Sequence, residues 1–474
     1  MVKNRYSGFL SLSFFVVMLL LVCVTTTNAS QIEEKEGDGN LALRAALAHT
    51  YINNPTIQAA RAEYRSVQER LPQARSGWKP TVGASGNVTN TDLSQSDGGS
   101  DDNTTSRNVA LSLEQPIYRG GSTFAEVAAA KAVISAQWAT LVQTEQNILL
   151  AAATAYMDTL RDQAVLELSI NNRDVLKKQL EAAQDRFDVG ELTKTDTSQA
   201  KARHARAESE VITARGDVRT SNAVFEEVIG DLPQNLLDPD MSKFIVPQSL
   251  DEALLAAEDK NPQLLAVRFA HQAAEKDVDD VFGELLPAVR FVSEWNKTFD
   301  PSPGLYDNQT TRTVGLTASI PLYQAGSTRS RVRQAKYTAN QRYIEIVEAK
   351  RDVKQKVIAA WEDLSTAEAE IKSRVAEVQA AATANEGVKA ENEFGSRTVL
   401  DALDAEQEYL DAQVSLVIAE RNRVVATFEL LALLSALTPE TLGFDRGEFS
   451  YRPEHTGWEF DLFDVDVDRI GGKP

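Results

Sequence analysis

The chain has 474 residues, with Lys+Arg 49 against Asp+Glu 69 and a formal net charge of −20. That balance argues against nucleic acid and against docking on an anionic lipid surface, because both need a basic face. One Cys, Cys23, and four scattered histidines (His49, His204, His271, His455) offer neither a disulfide framework nor ligand-like spacing, so no metal and no cofactor is expected.

Residues 1–29 read as a cleaved export signal. Lys3 and Arg5 are followed by an apolar run from Phe9 to Val24, then by Thr27-Asn28-Ala29, a small-x-small cleavage site. The first structural repeat then occupies 30–229. A helix is expected over about Leu41 to Ser76, followed by two runs of period two, each about ten residues long. Val82, Ala84, Gly86 and Val88 alternate in one; Val109, Leu111 and Leu113 alternate in the other. Pro80 and Pro116 bracket the pair, where each is expected to end the ladder. A proline-free helix follows from about Thr123 to Phe187, on the order of 100 Å long, with Leu176, Leu180, Ala183 and Phe187 at seam spacing. It turns at Val189-Gly190 and returns to about Ile229.

Residues 230–249, with Gly230, Pro233, Pro239 and Pro247, form a linker. The second repeat, 250–437, restates the order: a helix over Leu250 to Glu284, strands around Val289 to Trp295 and Val314 to Ile320, a helix from Thr328 to Asn392, and a return to Leu437. Asn54-Pro55 recurs as Asn261-Pro262, Pro116-Ile117-Tyr118 as Pro321-Leu322-Tyr323, and Gly190, Thr193 and Asp196 as Gly395, Thr398 and Asp401. Residues 438–474 form an acidic C-terminal tail carrying Tyr451, Trp458, Phe460 and Phe463.

Ten-residue strands of alternating polarity suit a tilted membrane crossing. In lipid a sheet must close, and four strands are too few, so several chains must each supply a stave. Three chains leave a water-filled bore and two do not. The alternatives are a soluble sheet packed on helices, and a periplasmic coiled-coil adaptor without a pore. No GxSxG, HExxH or phosphate loop is present, so an enzyme is not expected.

The segments Glu114-Gln115-Pro116-Ile117-Tyr118-Arg119-Gly120-Gly121 and Ser319-Ile320-Pro321-Leu322-Tyr323-Gln324-Ala325-Gly326, with the turns Arg186 to Gly190 and Gly395 to Ala405, resemble the TolC-like outer-membrane factors. The resemblance covers 41–437. It implies a mainly α fold with membrane β structure: a homotrimer whose twelve-strand barrel continues as a periplasmic helical barrel. It also implies an outer-membrane exit duct for type I secretion or tripartite drug efflux. Its partners would be a periplasmic adaptor protein and an inner-membrane transporter of the ABC or RND type. The adaptor would meet the hairpin tips at Gly190, Leu192, Thr193, Gly395, Thr398 and Leu400.

Asp401 and Asp404, three apart on one helix face, would form two stacked acidic rings in a threefold assembly. The resemblance places such rings at the closed entrance. It also implies a lock in which Arg397 binds Thr195 and Asp196 of a neighbouring turn. Where close relatives carry a tyrosine bonding an aspartate across the mouth, this chain has Asn392, which reaches less far toward Asp196.

Overall fold

A computed structural model describes residues 42–93, 102–241, 244–302 and 306–442. The export signal, Cys23, His455 and the tail from residue 443 onward lie outside the described residues.

The N-terminal helical stretch is three helices rather than one: α1 (Leu43–Asn53), α2 (Pro55–Gln68) and α3 (Arg70–Ser76). The first break sits at Asn54, because the residue before a proline is pushed into extended backbone; its ψ is 125°. Two strands follow, β1 (Thr81–Leu93) and β2 (Asp102–Arg119), then α4 (Ser122–Asp188) and α5 (Lys194–Ile229). The second half repeats the order with α6 (Leu250–Lys260), α7 (Pro262–Gly283), β3 (Ala288–Ser302), β4 (Tyr306–Ser319), α8 (Ser327–Glu393) and α9 (Val399–Leu433). Its helical stretch from Leu250 also divides at an Asn-Pro pair. The return helix stops at Leu433, short of the expected Leu437. A short α10 (Pro439–Leu442) follows, so the start of the expected tail packs, with Leu442 buried.

The duplication holds to the level of single hydrogen bonds. Asn54 caps α2 with its side-chain oxygen, and its Nδ2 donates to the Val228 carbonyl at 2.8 Å. Asn261 caps α7 and donates to the Leu433 carbonyl at 2.9 Å. Each half therefore ties the start of its second helix to the end of its return helix. The helices α4 and α8 each have 67 residues, about 100 Å of helix.

Helices this long bury only a stripe, so the core is divided. One cluster joins Leu47 and Tyr51 of α1, Leu149 and Tyr156 of α4, Phe225 of α5 and Phe428 of α9. The linker packs here too. Tyr156 accepts from the Leu237 N–H at 2.9 Å and donates to its carbonyl at 2.7 Å, and burial pushes its phenol up to about 12. A second cluster sets Val357 and Leu364 of α8 against Ala253 of α6 and Leu430 of α9. A third, near the hairpin turns, holds Leu176, Ala183, Ala200, Ala207 and Leu403. The seam residue Phe187 is not part of it and stays exposed.

The strands form one antiparallel sheet in the order β1-β2-β3-β4. They have 13, 18, 15 and 14 residues, longer than the alternating runs, because their outer ends are polar and carry no hydrophobic period. Pro116 does not end the ladder: β2 continues past it to Arg119 through a register shift between Pro116 and Tyr118. A bulge accommodates a residue that cannot donate to the ladder.

Candidate functional site

The sheet register sorts its side chains onto two faces. Ala84, Leu111, Trp295 and Arg312 lie in one row, and Val82, Leu113, Ser293 and Val314 in the next toward the helices. Phe291 and Leu316 extend this face. Val82, Val314 and Leu316 are each about two-thirds exposed within the chain. The opposite face carries Ser85, Asn87, Ser112, Glu114, Arg290, Glu294, Asn296, Thr311 and Thr313. Arg290 and Glu114 pair there at 3.3 Å. The sheet is therefore apolar on one side and polar on the other. Within the chain, β1 and β4 each have one unpaired edge.

At the other end of the long helices lie two hairpin turns. The first passes through Gly190, with φ of +82°, where the Glu191 N–H reaches back to the Arg186 carbonyl at 2.8 Å. That is the αL helix stop, and the second turn repeats it at Gly395, with Ser396 on Glu391 at 2.9 Å. Each return helix then begins with a reciprocal cap. Thr193 Oγ1 donates to Asp196 at 2.7 Å, and the Asp196 N–H returns to Thr193. Thr398 and Asp401 do the same, also at 2.7 Å. The Thr hydroxyl, then the Thr N–H, hold both Asp196 and Asp401 below the usual carboxylate range.

Asp401 and Asp404 share the outward side of α9, while Ala402 and Leu403 between them are buried. The stripe continues through Glu408 and Asp411 at the same helical spacing, giving four acids along one exposed face. Only Asp401 and Asp404 are expected from the sequence, although the three-four-three spacing of all four acids is legible in it. Arg203 of α5, which no local pattern marks, forms an ion pair with Asp404.

The Arg397 contact differs from the one expected. Within the chain its Nε donates to Glu391 of its own turn at 2.9 Å, and that pairing raises the guanidinium pKa. Within the chain Thr195 and Asp196 do not receive it; the Thr193 cap engages one oxygen of the Asp196 carboxylate. Asn392 likewise does not reach Asp196; its Nδ2 donates to the Arg397 carbonyl at 2.9 Å. Both residues brace the second turn from inside.

Apolar side chains flank the glycines at the tip. Val189 and Phe394, immediately before Gly190 and Gly395, are strongly exposed, Phe394 at 89%. Leu400 is half-exposed, whereas Leu192 packs against the lowest core cluster. Among the described residues no group of three or more His, Cys, Asp or Glu could hold a metal. No described helix is long and apolar enough to cross a membrane.

Residues 47–231 and 254–436 match the family model described as outer membrane efflux protein, so both halves of the duplication match separately. The outer membrane efflux protein BepC of Brucella suis is 32% identical over 412 residues, covering 87% of this chain and 89% of that one. The outer membrane protein TolC of Escherichia coli is 25% identical over 404 residues, covering 82% and 81%. Among solved structures, the CmeC outer membrane channel of Campylobacter jejuni superposes with a TM-score of 0.75 at 14% identity, over 86% of this chain and 87% of that one.

Proposed function

The chain belongs to the outer membrane efflux protein family, and from that premise we propose that three copies close a twelve-strand barrel continued by a periplasmic tunnel. It is an outer-membrane protein with a large periplasmic part, acting as an efflux or secretion channel. The observation that carries the assembly is the four-strand sheet, apolar on one side, polar on the other, and open at β1 and β4. Unpaired backbone groups are not tolerated in hydrocarbon, so each open edge needs the edge of another copy. Three copies make a barrel wide enough for an aqueous bore, with Glu114, Arg290 and Glu294 facing it.

The gate lies at the hairpin turns. In a threefold assembly Asp401 and Asp404 form stacked rings, and like charges at a constriction repel unless cations intervene. Such rings favour cations and store repulsion that assists opening. Arg397 contributes the lock by leaving Glu391 for Thr195 and Asp196 of an adjacent protomer's turn. Periplasmic adaptors grip the tips through exposed Val189, Phe394 and Leu400 beside Gly190, Thr193, Gly395 and Thr398. An inner-membrane transporter of the ABC or RND type supplies the cargo.

The test is reconstitution. An SDS-resistant trimer that conducts ions in planar bilayers is expected, with Asp401→Ala plus Asp404→Ala reducing cation selectivity. A water-soluble monomer ends the barrel reading. A conducting double variant of unchanged selectivity removes the rings from the gate.

A further inference from the structure

The apolar side of the sheet carries an unexpected set of charges. Arg107, Lys297 and Arg312 all fall on it, in three neighbouring rows: Arg107 opposite Phe299, Lys297 opposite Val109, and Arg312 opposite Trp295. The one acid in register on that side is Asp92. The polar side, by contrast, holds Glu114 and Glu294 against Arg290. Charge is thus sorted across the sheet, basic where it should meet lipid and acidic where it should meet water. The net charge of −20 conceals this local excess of cations.

Their height along the strands is informative. Lys297 lies about 30 Å along β3 from Ala288, or roughly 23 Å above the sheet base at a tilt near 40°. An outer-membrane apolar band is about 25 Å tall, so the cations sit at its edge farthest from the helices. Trp295 and Phe299 mark the same level, as interfacial aromatics do. The Lys297 ammonium is held 4.7 Å over the Phe299 ring, at the sheet surface rather than extended into water. Arg107 and Arg312 are exposed and make no ion pair with a described carboxylate. A cation on a lipid-facing strand is costly near the bilayer centre and nearly free at the interface, where a lipid phosphate can pair with it.

We infer that Arg107, Lys297 and Arg312 form an outward-facing site for the phosphate of an anionic glycolipid in the outer leaflet. The site rests on the reading that this sheet crosses the bilayer with its apolar side outward. A guanidinium on either side offers paired donors to phosphate oxygens, and Lys297 supplies a point charge between them.

The test uses the purified assembly in phosphatidylcholine nanodiscs with and without lipid A, bound lipid being counted by native mass spectrometry. The wild type is expected to retain lipid A preferentially. R107Q/K297Q/R312Q should weaken retention about fivefold per cation removed. K297Q alone should give a partial loss and serves if the triple variant does not insert. R290Q, on the other side of the sheet, should retain lipid A normally. Equal retention by wild type and triple variant, with normal conductance in both, overturns the site and leaves the barrel reading intact. Displacement of lipid A by millimolar inorganic phosphate assigns the cations to soluble phosphate and overturns the lipid assignment. A wild type that never conducts overturns the barrel reading and this site together.

Discussion

Arg203 of α5 forms an ion pair with Asp404 of α9, joining the return helices of the two sequence halves just above the turns. Asp404 is the more exposed partner, so the pair adds little to stability, but it offsets one of the two charges assigned to the gate. We expect Arg203→Gln to increase cation selectivity by exposing the full charge of Asp404. Reversal potentials across a salt gradient in planar bilayers measure it. An unchanged potential means that Asp404 does not line the path.

Acid titration separates the cap from the ring. The Thr398 hydroxyl and N–H hold the Asp401 carboxyl below its ordinary 3.8. A depressed carboxylate keeps its charge, and the stability of its cap, above the ordinary value and loses both as pH falls through the lowered one. Cation selectivity should therefore survive acidification into the ordinary carboxylate range. Thr398→Val removes the hydroxyl donor and should raise the midpoint at which selectivity is lost. Reversal potentials recorded from neutral pH downward provide the comparison. Coincident titrations would show that the cap does not set the charge.

Much of this architecture was legible because its landmarks are residues with backbone consequences. Asn-Pro pairs break and cap helices, glycines stop them, and the absence of proline over long stretches leaves 67-residue helices. The division at Asn54-Pro55 was present in the same landmarks, yet the helical period on both sides disguised it. Strand lengths were shortened because the outer strand ends are polar on both faces. Contacts made across the fold left no local trace: Arg203 and Asp404 are 201 positions apart. For Arg397, local competition decided the contact within the chain, since Glu391 lies six positions away in the same turn.

The two strand-to-helix junctions differ in a way that substitutions can exploit. Gly120 has φ of +64°, and a Cβ there would lie 2.1 Å from the Gly283 carbonyl oxygen, a backbone atom that cannot yield cheaply. In the second half the matching position is Ala325, held at φ of +51°. Left-handed backbone costs a non-glycine residue about 1–2 kcal/mol, partly offset by the unfolded-state freedom a glycine adds. Ala325→Gly should therefore stabilise by about 0.5–1 kcal/mol. Gly120→Ala should impair folding or assembly outright. Thermal unfolding followed by circular dichroism, with trimer yield on SDS gels, decides both. A silent Gly120→Ala would contradict the close approach of α7 to this turn.

Arg61 of α2 and Glu145 of α4 form an ion pair of 3.4 Å with both side chains almost wholly buried, at 4% and 6% exposed. The guanidinium also lies 4.5 Å over the ring of Tyr51 on α1, so one residue ties three helices at the upper core. Removing one partner of a buried pair strands the other charge in the interior, typically at about 3–5 kcal/mol, whereas an apolar replacement of both is often neutral. Arg61→Met and Glu145→Leu should each lower the unfolding temperature clearly, and the double variant should regain most of the loss. Unfolding of membrane assemblies is commonly irreversible, so the three are compared at one scan rate in one detergent. The Tyr51 stacking is lost in Arg61→Met and kept in Glu145→Leu, so the first should be the more damaging single change. Additive losses would mean that the two side chains are held independently and that the pair does not fix α2 against α4.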